Sequence, residues 1–404
     1  MTRDSISQEF VLVAACCRWP LSEDAIAAIR TAHTTAIDWR YFQRIVKRQR
    51  VFGLVYNALL AAGIDVPSDV AQELGAHAQQ IARQNLLMAA ETVRLQRAFD
   101  AAGIPVLALK GVSLAKLAYG SLKLKHGRDI DLLVPADRAE AALQLLEHNG
   151  YALVLPAKQL SAAQRRAVVR YGKEVEFVHR GNKMHVELQW RVTSNPLLLQ
   201  GVDAHSPTQS VAFSDGVNIR TLAEDDLFAY LCAHGAHHDW SRLKWLADLN
   251  ALITEKEDAD IVRLYRHAQG KGAGLCAGQA LLLCRRLFAF KLPAVLDDAL
   301  HGNSRLEKLA AIAMRAMLNP DDETDRGVAG VMRGVLTQFL LGQGWAYFVA
   351  QARIESVGLA DVISVPLSPP FQFFYPILRL PLWIWRRGIA AGTIRRNRQR
   401  QARY

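Results

Sequence analysis

The segment HGRDIDLLVP places two aspartates in what is otherwise the pattern of a buried β-strand. Aspartate disfavours strands, and burying an unpaired carboxylate is costly. Alternate side chains of a strand share a face, so Asp129 and Asp131 lie on one side and the intervening apolar residues face the core. Two carboxylates this close repel each other unless a cation lies between them. The segment therefore predicts a sheet with one apolar face and one acidic face.

The neighbouring segments predict a small mixed sheet around this strand. Before it, IPVLALKG predicts a short strand and VSLAKLAYG a short helix. After it, ADRAEAALQLLEHNG predicts a helix, and YALVLP, EVEFVHR and MHVELQW predict three further strands. The last two form a hairpin with Gly181 and Asn182 at the turn. We therefore predict an α+β fold whose mixed-sheet core spans residues 104–192.

Helical periodicity dominates on both sides of this core. Apolar residues recur every three to four positions over residues 1–103, and further helices are predicted over residues 193–355. Residues 356–404 differ from both regions, because a proline- and aromatic-rich segment is followed by an arginine-rich tail. The chain is thus predicted to have helical regions before and after the sheet and a distinct C-terminal segment.

The positive charge of the chain is concentrated at its C-terminal end. The formal net charge is +11 over 404 residues, and the stretch from Arg386 to Tyr404 contains seven arginines and no acidic residue. A net positive charge favours an anionic partner such as a nucleotide, a nucleic acid or an acidic membrane surface. Because the body without this tail is only mildly basic, we do not expect the whole chain to be a nucleic-acid platform.

Cysteine usage and hydropathy predict a cytoplasmic protein. The five cysteines are odd in number and lack metal-ligand spacing, which favours reduced thiols. The N-terminal sequence MTRDSISQEF has no basic-then-apolar leader, so we expect no signal peptide. No uninterrupted run of about 20 apolar residues is present to predict a membrane-spanning helix.

Other polar residues are expected beside the two aspartates. Glu187, in MHVELQW, is flanked by apolar residues and supplies a third strand carboxylate. Magnesium typically takes one or two carboxylates together with substrate phosphates. Lys110 and Gly111 follow the first strand and begin a helix, whose backbone N–H groups and positive end suit a phosphate. The hydroxyl of Ser113 could add a further donor.

The paired aspartates also have a structural explanation. An isolated pair of strand aspartates is often structural, in which case Asp129 pairs with Arg128 or another base and Asp131 lies at a strand edge.

His234 and His238, spaced i, i+4 on a predicted helix, share a face and could bind zinc. Structural contacts are the stronger expectation for these histidines.

Taken together, these segments resemble a known family. LALKGVSLAKLAYG, HGRDIDLLVP and HVELQW are similar to the uncharacterised bacterial nucleotidyltransferase family of the DNA-polymerase-β-like nucleotidyltransferase superfamily. The resemblance includes DWRYFQRIVKRQRVFGLVYNALL and AHGAHHDWSRLKWLADLNALI and covers residues 40–270. It implies that paired acids and a third strand acid hold two magnesium ions, for which manganese can substitute. It also implies a glycine-serine turn that holds the phosphates of an NTP.

Residue by residue, the resemblance implies that Asp129, Asp131 and Glu187 are the catalytic and metal-binding residues. The expected nucleotide-binding residues form a second set: Lys110, Gly111, Ser113, Arg128, His234 and His238. Two positions depart from the superfamily pattern. Val112 separates the glycine from the serine of the phosphate turn, and Gln189 stands where relatives often have histidine.

The expected reaction is magnesium-dependent transfer of a nucleoside monophosphate from an NTP to an unidentified hydroxyl acceptor, with release of pyrophosphate. The acceptor classes left open are a sugar, a peptide, a protein or RNA. The alternative is a catalytically inactive nucleotide-binding or adaptor protein that acts through its helices and basic tail.

The C-terminal segment predicts a second kind of partner. Aromatic residues and clustered arginines over residues 371–404 suit an anionic membrane surface. This would place the protein peripherally on the inner face of the membrane. The alternative is a segment that packs on the body and ends in a free basic tail.

Overall fold

The computed structural model describes most of the chain, namely residues 6–34, 36–156, 159–214, 216–319, 328–367 and 369–385. The N-terminal region is helical, as its periodicity predicts: α1 (Gln8–Cys16), α2 (Glu23–Ala32), α3 (Trp39–Gln49), α4 (Phe52–Ala62) and α5 (Ser68–Ala101). Ser22 and Asp38 are N-cap residues. The Ser22 side chain accepts a hydrogen bond from one backbone N–H of α2, and the Asp38 side chain accepts hydrogen bonds from two backbone N–H groups of α3. Helix α5 is long enough to contact both the N-terminal helices and the sheet.

The central sheet is small and mixed, as the sequence predicts. Its strands are β1 (Leu107–Ala108), β2 (Asp129–Leu133), β3 (Tyr151–Leu155), β4 (Glu174–His179) and β5 (His185–Gln189). The spatial order is β1-β2-β5-β4-β3, in which only β2 and β5 are parallel. Three helices lie among these strands: α6 (Val112–Tyr119), α7 (Ala139–His148) and α8 (Ala162–Tyr171). The fold is therefore mixed α+β, with helical flanks around a five-stranded sheet.

Two elements differ from the sequence prediction. Helix α8 stands between β3 and β4, where three consecutive strands were predicted. Beyond the sheet, the region predicted as helical begins with a two-stranded antiparallel hairpin, β6 (Thr208–Ser214) and β7 (Val217–Leu222). The signal for that hairpin was present, because an Asp-Gly pair between alternating apolar residues favours a tight turn. Gly216 in this pair has a φ of 70°, a conformation that glycine adopts easily.

The second helical region begins after this hairpin. Its helices are α9 (Glu224–His237), α10 (Leu243–Ile253), α11 (Asp258–Gly270), α12 (Gly274–Phe288), α13 (Ala294–Leu300), α14 (Ser304–Leu318), α15 (Val328–Gln338), α16 (Gly344–Ser356) and α17 (Leu359–Ser364). One apolar core joins α9–α14 and α16 to α1–α4, and a second core, on which α17 packs, lies under the sheet. Because α10 packs against α6, the second helical region reaches the acidic side of the sheet.

The end of the described chain packs against the sheet domain through α17. Tyr375 is buried, and its hydroxyl donates to the carbonyl of Val365 at 3.0 Å. Arg379 Nη1 lies 2.7 Å from Oδ2 of the buried Asp361. These contacts agree with the packed alternative for this stretch, while the arginines from residue 386 onward lie outside the described residues. None of the helices in the described ranges is long and apolar enough to span a membrane.

Candidate active site

The acidic face of the sheet is created by the parallel pairing of β2 and β5. Asp131 is the register partner of Glu187, and Asp129 is the register partner of His185. Register partners on neighbouring strands lie about 5 Å apart and share a face, so these side chains form one cluster. Apolar residues between them, such as Ile130 and Val186, face the core under the sheet. Glu187 is therefore on the same side as both aspartates.

Asp131 is a central residue of this cluster. Its side chain is 1% exposed, and its strand lies between β1 and β5 rather than at an edge. The structural alternative of an edge aspartate is therefore wrong for Asp131. Gln189 Nε2 donates to Asp131 Oδ1 at 3.3 Å, so Gln189 helps to position this carboxylate.

Lys110 lies on the carboxylates rather than facing away from them. Its Nζ atom is 2.6 Å from Asp131 Oδ1 and 3.9 Å from Glu187 Oε2. The turn that directs it contains Gly111, whose φ of 73° favours glycine and which precedes the first residue of α6. The sequence predicted that Lys110 would contact a phosphate; in this structure its ammonium group neutralises the acids instead.

The cluster has more negative charge than this single lysine neutralises. Burial, followed by the charge of Asp131, raises the pKa of Glu187 to about 9. Burial likewise raises the pKa of Asp131. Burial also opposes the ionisation of Asp129, but the charges of Lys110, Lys244 and Arg128 outweigh it and lower the pKa of that carboxyl. Without a further cation, the cluster therefore retains a proton on Glu187 at neutral pH.

The chemistry of the cluster fits a hard divalent cation. Carboxylate oxygens are the ligands that magnesium prefers. Oδ2 of Asp131 is buried and has no hydrogen-bond partner within the described ranges, so one oxygen in the cluster is unsatisfied. The described residues do not, however, form a ready-made cage of three or more acidic, histidine or cysteine ligands. The cation that Asp131 contacts is the Lys110 ammonium group.

A pocket lined by cationic side chains borders the acids; we call it the basic pocket. It lies between the start of α6, the loop before β2, and helices α9 and α10. Its polar lining residues are Lys110, Lys125, His126, Arg128, Asp129, Asp131, His234, Lys244 and Asp248, and Gly111 and Trp245 complete that side of the pocket. A concentration of positive charge beside a helix N-terminus attracts phosphate groups. The volume of the pocket is ≈ 30 Å³ in this structure, so a polyphosphate would enter only after its lining side chains move apart.

Lys244 is a residue of this pocket that the sequence analysis missed. Burial, with the charges of Lys125 and Arg50, lowers the pKa of its ammonium group to about 7. An anionic ligand in the pocket would relieve that repulsion. Lys244 belongs to RLKW, within a segment that carries the family resemblance, so the sequence marked its neighbourhood. Local patterns could not predict that α10 packs beside the start of α6.

A buried polar network fixes the loop before β2 to α10. Asp248 Oδ2 lies 2.6 Å from Lys125 Nζ, and Asp248 Oδ1 accepts a hydrogen bond from the Tyr119 hydroxyl at 3.0 Å. The network joins α6, the loop and α10 at one point. The walls of the basic pocket are thus held by an ion pair with 7% and 4% side-chain exposure.

His126 contributes an uncharged ring to the same loop. Burial, with the charges of Lys244 and Arg50, lowers its pKa to about 3. Its Nδ1 atom is buried and lacks a hydrogen-bond partner in the part of the chain that the structure describes. A neutral imidazole with one unsatisfied nitrogen beside several cations is a polar group available to a ligand.

The other expected nucleotide-binding residues have different positions. His234 lines the basic pocket, and Arg128 is exposed at its border. His238 does not line this pocket; its ring stacks on Trp245 with 5.0 Å between centroids. Ser113 is fully buried, and its hydroxyl donates to the Lys110 carbonyl at 3.1 Å. Ser113 therefore supports the turn and cannot reach a phosphate in this arrangement, which corrects the expectation for that residue.

Comparison with protein families agrees with this geometry. The model of the family described as uncharacterised nucleotidyltransferase matches residues 35–289. The chain belongs to this nucleotidyltransferase family. The match includes the whole sheet and extends through α12, so it contains both the acids and the basic pocket. Comparison with curated proteins and with solved structures finds no match. Family membership supports nucleotidyl transfer as the general activity.

Substitution of Lys244 tests the basic pocket. Because the folded protein lowers this pKa to about 7, the folded state binds fewer protons than the unfolded chain between about pH 7 and pH 10. The contribution of Lys244 to stability should therefore rise with pH across this window. Lys244→Met should remove that rise, increase the melting temperature at pH 7 and weaken NTP binding by about tenfold or more, the loss of one charge-assisted contact.

The matched control for this prediction is Lys123→Met, which removes an exposed lysine from the same neighbourhood. Thermal unfolding from pH 6 to pH 10 and equilibrium NTP binding are the measurements. If both variants changed NTP binding equally, the basic pocket would not be the phosphate site.

Proposed function

We propose that this nucleotidyltransferase moves a nucleoside monophosphate from an NTP to an acceptor hydroxyl in a magnesium-dependent reaction that releases pyrophosphate. The observation that supports this most is the contact between two oppositely charged regions. Asp129 and Asp131 belong both to the acidic face and to the lining of the basic pocket. A polyphosphate in that pocket would therefore lie directly beside carboxylates suited to a metal ion.

The roles of the side chains follow from this arrangement. Asp129, Asp131 and Glu187 would hold magnesium, which when bound supplies positive charge to the reacting phosphate and the leaving group. Manganese should substitute, and the carboxylate set has enough oxygens for the two ions implied by the family resemblance. The backbone at Gly111 and the side chain of Lys244 would contact the phosphates, together with Arg128 and His234.

Lys110 has a place between these two sets of contacts. In the metal-free protein its ammonium group is paired with Asp131. If the carboxylates held a divalent ion, Lys110 would be free to pair with a phosphate. The ion pair with Asp131 and the expected contact with a phosphate would then be two states of one residue.

The reaction requires one bond to form and one to break. The acceptor oxygen bonds to the α-phosphorus, and the bond from that phosphorus to the pyrophosphate oxygen breaks. The proton of the acceptor hydroxyl passes to one of the acids. Charge accumulates on the pyrophosphate, which the cations of the basic pocket are placed to stabilise.

The proposed function is tested by following the α-phosphate of each NTP. Purified protein is incubated with magnesium or manganese, each α-³²P-labelled NTP and fractions of a cell extract, and both labelled acceptor and free pyrophosphate are measured. We expect label in one fraction with an equal amount of pyrophosphate. Label transferred without pyrophosphate, or no label with any fraction, would contradict the proposal.

The ion pair between Lys110 and Asp131 is also consistent with the alternative function, a catalytically inactive nucleotide-binding or adaptor protein. A lysine that neutralises the acids is also what a non-catalytic, nucleotide-binding adaptor would use in place of a metal. Such a protein would bind NTP with the same affinity in EDTA as in magnesium and release no pyrophosphate. A catalytic protein should bind NTP more tightly with the metal.

We further propose an anionic membrane surface as a partner of the C-terminal segment. Large apolar side chains are exposed along this stretch, namely Phe371, Phe373, Phe374, Ile377, Leu380, Ile384 and Trp385. Exposed aromatic residues followed in sequence by clustered arginines match an interfacial membrane contact.

A further inference from the structure

A second cavity adjoins the acids and the loop before β2; we call it the polar groove. It lies between α5 and the acidic face of the sheet and has a volume of ≈ 600 Å³. Glu187 is part of its lining, and His126, Arg128 and Asp129 line both it and the basic pocket. The polar groove therefore adjoins both the proposed metal site and the basic pocket.

Helix α5 provides one wall of the polar groove. His77, Gln80 and Gln84 are spaced i, i+3 and i+7, so they lie along one helix face. Both glutamines are exposed and present amide donors and acceptors. The His77 ring stacks on Phe52 with 4.4 Å between centroids, and its Nδ1 lies 3.0 Å from the Glu73 carbonyl oxygen. Since a carbonyl oxygen only accepts, Nδ1 donates to it, and Nε2 is left for another partner.

The sheet provides the opposite wall. His185 Nδ1 lies 2.7 Å from Glu176 Oε1, an arrangement in which the carboxylate orients the ring and leaves Nε2 for another partner. His185 is the register partner of Asp129 and precedes Glu187 by two residues, so all three share a face of the sheet. A hydroxyl held by His185 would lie next to the acids of the proposed reaction.

The charge of the polar groove is opposite to that of the basic pocket. Carboxylates line it at Asp129, Glu176 and Glu187, and among its described lining residues Arg128 is the single lysine or arginine. Neutral donors and acceptors make up much of the remainder. With Asp129 and Glu187 engaged by the metal, the rest of the lining offers amides, imidazoles, one carboxylate and one guanidinium, which pair with hydroxyl and amine groups and provide too few cations for a polyanion.

We propose that the polar groove binds the acceptor, and that the acceptor is a small, neutral or amine-bearing, polyhydroxylated molecule rather than RNA. This inference rests on the proposed nucleotidyl transfer, since it names the substrate class of the same site. The acceptor oxygen would approach the α-phosphorus from the polar groove while pyrophosphate leaves on the side of the basic pocket.

One pair of variants separates acceptor binding from NTP binding. Gln80→Lys puts a cation into the polar groove, and Gln79→Lys makes the same change at the next residue of α5, which is also exposed but does not line the groove. We expect Gln80→Lys to lower the initial rate of label transfer to the small-molecule fraction of a cell extract by at least about tenfold, equivalent to about 1.4 kcal/mol, with unchanged affinity for the NTP. Gln79→Lys should behave as the wild type in both measurements.

The class of acceptor is tested with the same α-³²P-labelled NTPs. A cell extract is separated by ultrafiltration, and the small molecules are divided by anion exchange at neutral pH into unretained and retained fractions. We expect label in the unretained small molecules. Label in nuclease-sensitive material or in the retained fraction would overturn the inference while leaving the proposed function intact, as would equal transfer by both glutamine variants. No label in any fraction would overturn both.

Discussion

Replacing Glu187 with glutamine should reduce nucleotide transfer by about 10³-fold or more, because an acid that holds a catalytic metal ion contributes several kcal/mol to the transition state. The same change should stabilise the metal-free protein at alkaline pH. Burial raises the pKa of Glu187 to about 9, so the folded state binds more protons than the unfolded chain between about pH 4.5 and pH 9. The contribution of Glu187 to stability is therefore lost as pH rises through this window, and Glu187→Gln should remove that loss.

Asp129→Asn provides the contrast. It should also abolish transfer, but it should lower the stability of the metal-free protein, because neighbouring cations lower the pKa of Asp129 and favour its charged form. Transfer rates and thermal unfolding in EDTA from pH 5 to pH 9 measure both effects, with the exposed Glu140→Gln on α7 as a control. A transfer rate equal to that of the wild type in Glu187→Gln would show that Glu187 is not a catalytic residue.

Deleting residues 386–404 should release the protein from vesicles that contain acidic lipid. The deletion removes seven arginines, and each one close to such a surface contributes about 1 kcal/mol. The deletion keeps Tyr375 and Arg379, whose contacts hold the preceding segment on the body. Nucleotide transfer should persist, since every proposed catalytic residue lies in the sheet.

Liposome flotation measures this binding. Attachment of the full chain should need acidic lipid and should weaken with salt, because the Debye length falls from about 10 Å at 0.1 M to about 3 Å at 1 M. A variant with all seven arginines changed to glutamine keeps the length of the tail and should float as poorly as the deletion. Equal flotation of the full chain and the deletion would refute the membrane proposal.

The acidic face was predictable because its signal is local. The two-residue period of a strand places Asp129 and Asp131 together, and the apolar neighbours of Glu187 mark its strand. The five-stranded sheet and the helical flanks also followed from local periodicity. The family match is longer than the resemblance drawn from the sequence, starting at residue 35 and ending at 289.

The remaining features depend on contacts between distant segments. The Lys110 side chain points toward Asp131, on a neighbouring strand, because the two are oppositely charged. The sequence of the phosphate turn alone does not predict this orientation. Lys244 reaches the site because α10 packs on α6. The burial of Ser113 follows from the packing of that helix, and local propensity carries no information about it.

The most direct test of the account is equilibrium binding of Mn²⁺ in the presence of an NTP analogue whose α–β bridge cannot be cleaved. Electron paramagnetic resonance reports bound manganese, and the analogue can be followed separately. We expect the wild type to bind manganese and analogue together, Asp129→Asn to lose the manganese, and Lys244→Met to weaken the analogue. Manganese binding that is unchanged in Asp129→Asn would show that the acids do not hold the metal and would contradict the central claim.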